Sequence, residues 1–246
     1  MKGCVVIPTY NNDGFLGELL DEVLILQPSV IVVNDGSTDK TANILSSYPS
    51  LTVITFVHNK GKGAALKAGF KKALEMGFDH AITLDSDSQH RASDIPAFLE
   101  VLEEEAPIMI MGSRLLDQEN VPVGNRFANR FSSFWFRVET GLRLKDTQSG
   151  FRLYPIREME GTRLRSGKYE FELEILVKAG WKGIAVREIH IHVYYPPGEE
   201  RVSHFRPLRD FLRISLLNFM LLFLGLAWHR PRNMYRKYKS KPLKQI

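Results

Sequence analysis

The stretch Ala81-Ile82-Thr83-Leu84-Asp85-Ser86-Asp87-Ser88-Gln89-His90 decides how this chain is read. Its first four residues are a short apolar run of the kind that makes a buried strand. The run ends in two carboxylates one residue apart. Ionised carboxylates at close range repel, and each must be solvated or paired, so the pair is costly to keep for stability alone. A divalent cation removes that cost. Mg²⁺ or Mn²⁺ takes hard oxygen ligands, usually one or two carboxylates together with substrate phosphates. On an extended backbone Asp85, Asp87 and Gln89 alternate onto one face, which would hold a metal carrying a nucleotide diphosphate. The competing reading is an exposed polar loop that caps a following helix at Asp94.

Upstream, strands and helices alternate. Apolar runs predict strands over 3–7, 30–33, 53–57 and 80–84, and helical apolar spacing predicts helices over 16–26, 40–47 and 63–76. The second helix follows a Ser37-Thr38-Asp39 cap signal. Strand and helix in turn imply an α/β fold, a mostly parallel central sheet with helices on both faces. Ligands bind such sheets at the carboxyl ends of the strands. The polar groups there are Pro8-Thr9-Tyr10-Asn11, Asn34-Asp35-Gly36-Ser37, His58-Asn59-Lys60-Gly61 and Asp85-Ser86-Asp87, and they converge on one edge, the geometry of a nucleotide site. Gly61-Lys62-Gly63-Ala64-Ala65-Leu66 starts like a dinucleotide fingerprint, but it has Leu where the third Gly or Ala belongs and it follows the third strand. No G-x-x-x-x-G-K-[ST] run exists either. Dehydrogenase and P-loop readings are therefore poor. Gly61 and Gly63 fit a tight turn into a helix N-terminus, where Lys60 and Lys62 favour a phosphate or are simply solvated.

The second half is less regular. It reads as a strand over 108–111, an Arg- and aromatic-rich helix over 125–141, a polar turn and short strand over 146–154, an amphipathic helix over 169–179 and a strand over 184–195. Glu170, Glu172 and Glu174 divide between a solvated helix face and local salt bridges. His190 and His192 alternate on the last strand as two polar-face residues, since no third ligand completes a metal set. Residues 195–201 have the length and hinge residues of a lid, or form an ordinary long turn.

A chain of 246 residues buries a substantial core as one large domain, with or without an appendage. The lone Cys4 excludes an internal disulfide and suits a reducing compartment, and no secretory signal is expected. Charge is uneven. From His229 to Ile246 there are seven Lys or Arg and no acids, whereas the rest of the chain holds 26 basic and 28 acidic residues. The basicity belongs to the tail, which argues for an anionic surface there and against a nucleic-acid groove in the body. The apolar segment 214–228 is short of the roughly 20 residues of a spanning helix. It reads as a helix embedded in or lying on one leaflet, as one packed on the body or a partner, or as a span.

Six motifs now carry a family resemblance. Pro8-Thr9-Tyr10-Asn11-Asn12, Asn34-Asp35-Gly36-Ser37-Thr38-Asp39, Asn59-Lys60-Gly61-Lys62-Gly63, the Asp85–Asp87 pair, Gly112-Ser113-Arg114 and Gln148-Ser149-Gly150-Phe151-Arg152 stand in the order found in family 2 glycosyltransferases of the GT-A, Rossmann-like fold. The run 83–90 most resembles the branch of dolichol-phosphate mannosyltransferases and polyprenyl-phosphate glycosyltransferases. The resemblance covers roughly 3–205 and is specific for fold and reaction class, less so for the sugar. It implies that Pro8, Tyr10 and Asp35 surround the base and ribose of a nucleotide sugar. It implies that Asp85, Asp87 and Gln89 bind metal and donor diphosphate, with Lys62 and Arg114 in the substrate site. Arg126, with Arg130 as a second, would meet the acceptor phosphate, Gln148 and Ser149 would face the acceptor, and Arg201 would meet the donor phosphates. Asn34 stands where many relatives have Asp.

The chemistry of the acceptor separates two readings. A sugar hydroxyl needs a general base, and Asp146 is the residue to watch for that role, or else a cap for its own turn. A phosphate monoester is already anionic near pH 7 and needs positive charge for positioning instead. Arg126, Arg130 and Arg137 supply charge, but they do not share one helical face, so at most two serve and Arg137 reads as a surface charge. The expectation is an inverting, metal-dependent glycosyltransferase acting on polyprenyl phosphate or another lipid acceptor. It would comprise a catalytic domain over 1–205 and a membrane-associating helix and basic tail over 206–246, peripheral or monotopic at the cytoplasmic face of an anionic membrane. A saccharide or lipid hydroxyl as acceptor is the alternative within the class, and a silent nucleotide- or lipid-binding scaffold the alternative outside it.

Overall fold

In the computed structural model, residues 1–27, 29–87, 89–103, 107–114, 123–193 and 207–226 are described. Arg201, the 195–201 loop and the basic tail lie outside them. The chain forms β1 (Gly3–Thr9), α1 (Asp13–Leu26), β2 (Val30–Asn34), α2 (Thr41–Ser46), β3 (Thr52–Thr55), α3 (Lys62–Glu75), β4 (His80–Thr83), α4 (Ile95–Glu100), β5 (Ile108–Ser113), α5 (Val123–Thr140), β6 (Arg152–Tyr154), α6 (Ile156–Met159), α7 (Glu170–Lys182), β7 (Ala185–His190) and α8 (Pro207–Leu224). One seven-stranded sheet has the order β3-β2-β1-β4-β6-β5-β7. Only β6 runs antiparallel to its neighbours.

Pleating of the strands splits the core into two layers. In β1, Cys4 and Val6 face a core shared with α3, α5, α7 and α8. Val5 and Ile7 face the other side, with α1 and α4. Residues Ile31 and Val33 against Val30 and Val32 in β2, and Met109 and Met111 against Ile108 and Ile110 in β5, repeat the division. Continuous apolar runs are what a sheet buried on both faces requires.

Three sequence expectations are corrected. The N-cap position of α2 falls on Lys40, one residue past the Ser37-Thr38-Asp39 signal. Asp39 still serves the helix start, its carboxylate accepting from the amide of Thr41, the first residue of α2, and from that of Asp13. The strand at 80–84 ends at Thr83, and the chain bends at Ser86 and Asp87, so strand pleating does not order Asp85, Asp87 and Gln89. Nor is α7 a half-solvated helix. It is buried nearly all round, Glu172 and Glu174 included. The Glu174 carboxylate accepts from the Arg165 and Ser166 amides and pairs with Lys178.

Helix α8 packs on α5 and α7. Leu217 and Leu221 enter the core beside Phe136 and Trp181. Among the described residues no helix is long and apolar enough to cross a membrane. At this junction the Trp181 indole donates to the Glu139 carbonyl at 3.0 Å. The Glu139 carboxyl is buried without a hydrogen-bond partner among the described residues. Burial pushes it up to about 8.

Unfolded, Glu139 titrates near the ordinary ~4.3. Between that value and 8 the folded state holds a proton that the unfolded chain releases, so stability falls as pH rises through this window and levels off above it. Glu139→Gln should remove the slope and leave the variant more stable at pH 7 by on the order of 1–3 kcal/mol. Urea unfolding at pH 5 and pH 8 measures it, and equal pH dependence in both proteins would contradict the assignment.

Candidate active site

The four polar loops predicted to converge do so, because β3, β2, β1 and β4 are parallel neighbours whose carboxyl ends share one edge. Side chains lace the loops together. Asn11 accepts from the Thr38 amide at 2.8 Å, and its own amide donates to the Ser37 hydroxyl at 3.0 Å. Asn12 donates to the Ser86 hydroxyl at 3.1 Å, and Ser86 donates to Thr9 at 3.3 Å. Pro8 is buried at the end of β1, and half-buried Tyr10 follows it.

Asp35 is 3% exposed, and its two oxygens accept from the amides of Lys60 at 2.7 Å and Gly61 at 2.8 Å. Burial raises its carboxyl despite these bonds. It fixes the loop that delivers Lys62. Gly61 takes φ +97°, a conformation that L side chains rarely adopt, and α3 begins directly after it.

Lys62 is the hub. Its ammonium lies 2.7 Å from Asp85 Oδ1 and 3.0 Å from Glu172 Oε2. Burial disfavours its charge, but the two carboxylates outweigh burial and hold the ammonium well above the usual lysine range. The Asp85 carboxyl is correspondingly held down against its burial. Among the described residues Asp87 has no ion-pair partner, and the Lys62 charge reaches it only more weakly. Burial and then the charge of Asp85 push it up to about 6, while the Gln89 amide donates to its Oδ1 at 3.1 Å. The asymmetry marks a place with one negative charge more than its surroundings compensate. Among the described residues no three His, Cys, Asp or Glu side chains are grouped for a metal. Asp85 and Asp87 are hard oxygen donors of the kind that a divalent cation shares with further oxygens from a substrate. Asp94 does not cap a helix as the alternative required. Its carboxylate accepts from the His192 amide at 2.7 Å and lies 2.8 Å from His192 Nδ1.

The Gln148-Ser149-Gly150 turn closes the site from below. Gly150 is seated against Asp85 and Lys62, and its carbonyl accepts from the Thr83 hydroxyl at 2.7 Å. Ser149 is buried, while Gln148 is exposed. The fully buried Arg152 donates to the carbonyls of Ser149 at 2.5 Å, Glu172 at 2.7 Å and Thr147 at 3.0 Å, tying the turn to the start of α7. Asp146 is fully buried. Its carboxylate takes a forked pair from Arg114, 2.6 Å and 3.0 Å, together with the amides of Arg114, Gln148 and Ser149. These donors outweigh burial and hold the carboxyl below its usual range.

Beside this turn a cavity of about 910 Å³ is lined by Arg114, Arg126, Arg130, Lys145 and Arg187, with Glu188 as its one acid. Glu188 accepts from the Lys145 and Asp146 amides at 2.8 and 2.9 Å. Arg126 and Arg130 are thus brought together as expected. Lys145, Arg187 and Glu172 were not singled out for the site. The signal for Glu172 was its apolar surroundings in α7, which demand a partner for a buried charge; Arg187 and Lys145 carried none, since four consecutive residues, Arg187 to His190, line the cavity and strand alternation does not single them out.

Paired carboxylates and a lysine at the carboxyl edge of a parallel sheet, next to a cationic cavity, have the electrostatics that suit anionic substrates. The chain belongs to glycosyl transferase family 2, whose model matches residues 4–156. It is 28% identical to the UDP-N-acetylglucosamine–dolichyl-phosphate N-acetylglucosaminyltransferase of Methanococcus voltae, over 78% of this chain and 85% of that protein. It is 28% identical to the undecaprenyl-phosphate mannosyltransferase of Micrococcus luteus, over 82% and 88%. The crystal structure of glucosyl-3-phosphoglycerate synthase from Mycobacterium tuberculosis, in complex with Mn²⁺, UDP and phosphoglyceric acid, matches with a TM-score of 0.67 at 19% identity, over 92% of this chain and 78% of that one. The fold is the GT-A fold.

A Cβ added at Gly150 would stand 2.2 Å from Asp85 Oδ2 and 2.8 Å from Lys62 Nζ. Gly150→Ala should cost about 1–3 kcal/mol in urea unfolding. Most of that loss should vanish in an Asp85→Ala background, because the clash partner is gone. Equal losses in both backgrounds would show that the turn does not press on the Asp85 carboxylate.

Proposed function

We propose that this glycosyltransferase moves a sugar from a nucleotide-sugar donor to a polyprenyl phosphate, with inversion, at the cytoplasmic face of a membrane. The observation that carries the reading is the cationic cavity: among the described residues five basic side chains line it against one acid, Glu188, whose Oε1 accepts two backbone amides, and the buried Asp146 beside it has both oxygens occupied by Arg114 and backbone amides. A hydroxyl acceptor would need a base with a free lone pair. A phosphate monoester, with its second pKa near 6, arrives as an anion and needs cations. The similar enzymes of M. voltae and M. luteus carry dolichyl phosphate and undecaprenyl phosphate in their names, which supports this class of acceptor.

In this reading Pro8, Tyr10 and Asp35 hold the base and ribose at the ends of β1 and β2. Asp85, Asp87 and Gln89 hold a divalent cation, Mg²⁺ or Mn²⁺, which when bound draws charge from the departing diphosphate. Lys62 neutralises Asp85 and orients it. Arg126 and Arg130 place the acceptor phosphate, whose oxygen forms the new bond to the anomeric carbon as the diphosphate leaves from the opposite side. Arg114 holds Asp146, and Asp146 holds the turn carrying Gln148 and Ser149 against the acceptor. Arg201 completes the donor phosphate contacts. Helix α8 and the tail keep the protein on the lipid surface.

Single-turnover transfer at saturating donor tests the acceptor assignment. Arg126→Ala should lose on the order of 10²-fold, since the acceptor phosphate is left without a cationic partner. Asp146→Asn should lower stability yet keep the chemical step within about tenfold and leave its pH profile unchanged. A folded Asp146→Asn protein losing the 10²–10⁴-fold of a missing base, with Arg126→Ala active, would sink the lipid-phosphate reading. For the metal, chelation and Asp87→Asn should each abolish transfer, and added Mg²⁺ or Mn²⁺ should restore only the chelated wild-type protein. Full turnover in excess chelator would refute that assignment.

A further inference from the structure

One buried charge of the site, that of Glu172, has no part in the proposed transfer. Glu172 stands in the first turn of α7, where the helix N-terminus favours a carboxylate. Its carbonyl accepts from Arg152 at 2.7 Å, which fixes its place. Its Oε2 lies 3.0 Å from the Lys62 ammonium, and Oε1 is buried with no hydrogen-bond partner among the described residues. The same ammonium lies 2.7 Å from Asp85 Oδ1 and 3.0 Å from Asp85 Oδ2. An ammonium has three donors, and three carboxylate oxygens stand within reach of this one.

Both oxygens of Asp85 therefore face a tethered positive charge. A divalent cation held by Asp85 shares that carboxylate with the ammonium, and two cations at such range repel strongly where water is scarce. The ammonium cannot ease away towards the 148–150 turn, because the Gly150 backbone closes that side: a Cβ there would stand only 2.8 Å from Nζ. Nor can it be left without a partner, since a buried lysine then loses its proton. Glu172 meets both requirements, with one oxygen already in contact and the other unused. We propose that Glu172 is a positioning residue for the divalent cation and acts through Lys62: it receives the ammonium as Asp85 takes up the metal, so that Asp85 changes counter-ion and neither charge is left buried alone. Glu172 then sets how tightly Asp85 binds a metal without being a ligand itself. The inference rests on the assignment of Asp85 as a metal ligand in the proposed function.

The test titrates Mn²⁺ into the full-length protein without nucleotide and reads free Mn²⁺ by electron paramagnetic resonance. Circular dichroism and urea unfolding establish that each variant is folded. Asp85→Asn should lose binding, and wild-type affinity in that variant would overturn the metal assignment and the inference with it. Glu172→Gln keeps the shape of the side chain and removes its charge. It should bind Mn²⁺ about tenfold more weakly, because the ammonium then rests on Asp85 alone. Glu172→Asp keeps the charge but withdraws it by one methylene, and it should lose several-fold, which a carboxylate acting at a distance would not. In a Lys62→Met background there is no ammonium to receive, and Glu172→Gln should change the affinity by less than about twofold. Unchanged Mn²⁺ affinity in Glu172→Gln would overturn the proposal and leave Asp85 as the metal ligand. An equal loss in both backgrounds would overturn it too, since a residue that acted on the cation directly, or merely held the fold, would not depend on Lys62. Should Lys62→Met fail to fold, Glu172→Asp decides, and wild-type affinity there would overturn the proposal.

Discussion

The Lys62 ammonium stands within 3.0 Å of both Asp85 and Glu172, and three parts of the molecule meet there: the first residue of α3, the loop after β4 and the first turn of α7. A buried lysine without partners loses its proton or unfolds its surroundings. Two carboxylates hold this one charged, and it in turn makes Asp85 affordable inside the site. Much of the local architecture follows from that exchange. Gly150 has no side chain because the carboxylate fills the space, and Gly61 takes a left-handed conformation because α3 must start where its lysine can reach. Arg152 spends its donors on Thr147, Ser149 and Glu172, so that the turn and the helix cannot drift apart.

The site divides into two electrostatic halves. Among the described residues, carboxylates exceed cations at the sheet edge, and the excess falls on Asp87, pushed up to about 6. At the cavity cations exceed carboxylates; Asp146 is held by Arg114 and backbone amides, and Glu188 accepts two backbone amides through Oε1. A cation belongs in the first half and an anion in the second. The Asp146–Arg114 fork lies beside the cavity and binds no solvent-facing group on the acid's part, which is why the geometry favours an acceptor that brings its own negative charge.

Much of this was legible in the chain. The strands and helices of the first half read directly from apolar runs broken by Asn, Asp and Gly, because a sheet covered on both faces needs unbroken hydrophobic strands. The convergence of the four loops followed from parallel order alone. Two kinds of feature did not show. One was the burial of Arg152 at the head of β6, whose charge reads as surface until its three carbonyl partners are seen. The other was the burial of Glu172 and Glu174, which a helical pattern taken one residue at a time assigns to solvent, although the apolar residues around them in α7 already demanded partners.

The central claim is that the nucleophile is a phosphate oxygen. Its most direct test is the lipid product made by purified protein from a panel of nucleotide sugars, with polyprenyl phosphate and free polyprenol offered together. Mass spectrometry with mild acid hydrolysis tells a glycosyl phosphate from a glycoside. The account predicts an acid-labile glycosyl phosphate with one nucleoside diphosphate released per sugar transferred, and no product from the polyprenol. A stable glycoside of the polyprenol would contradict it.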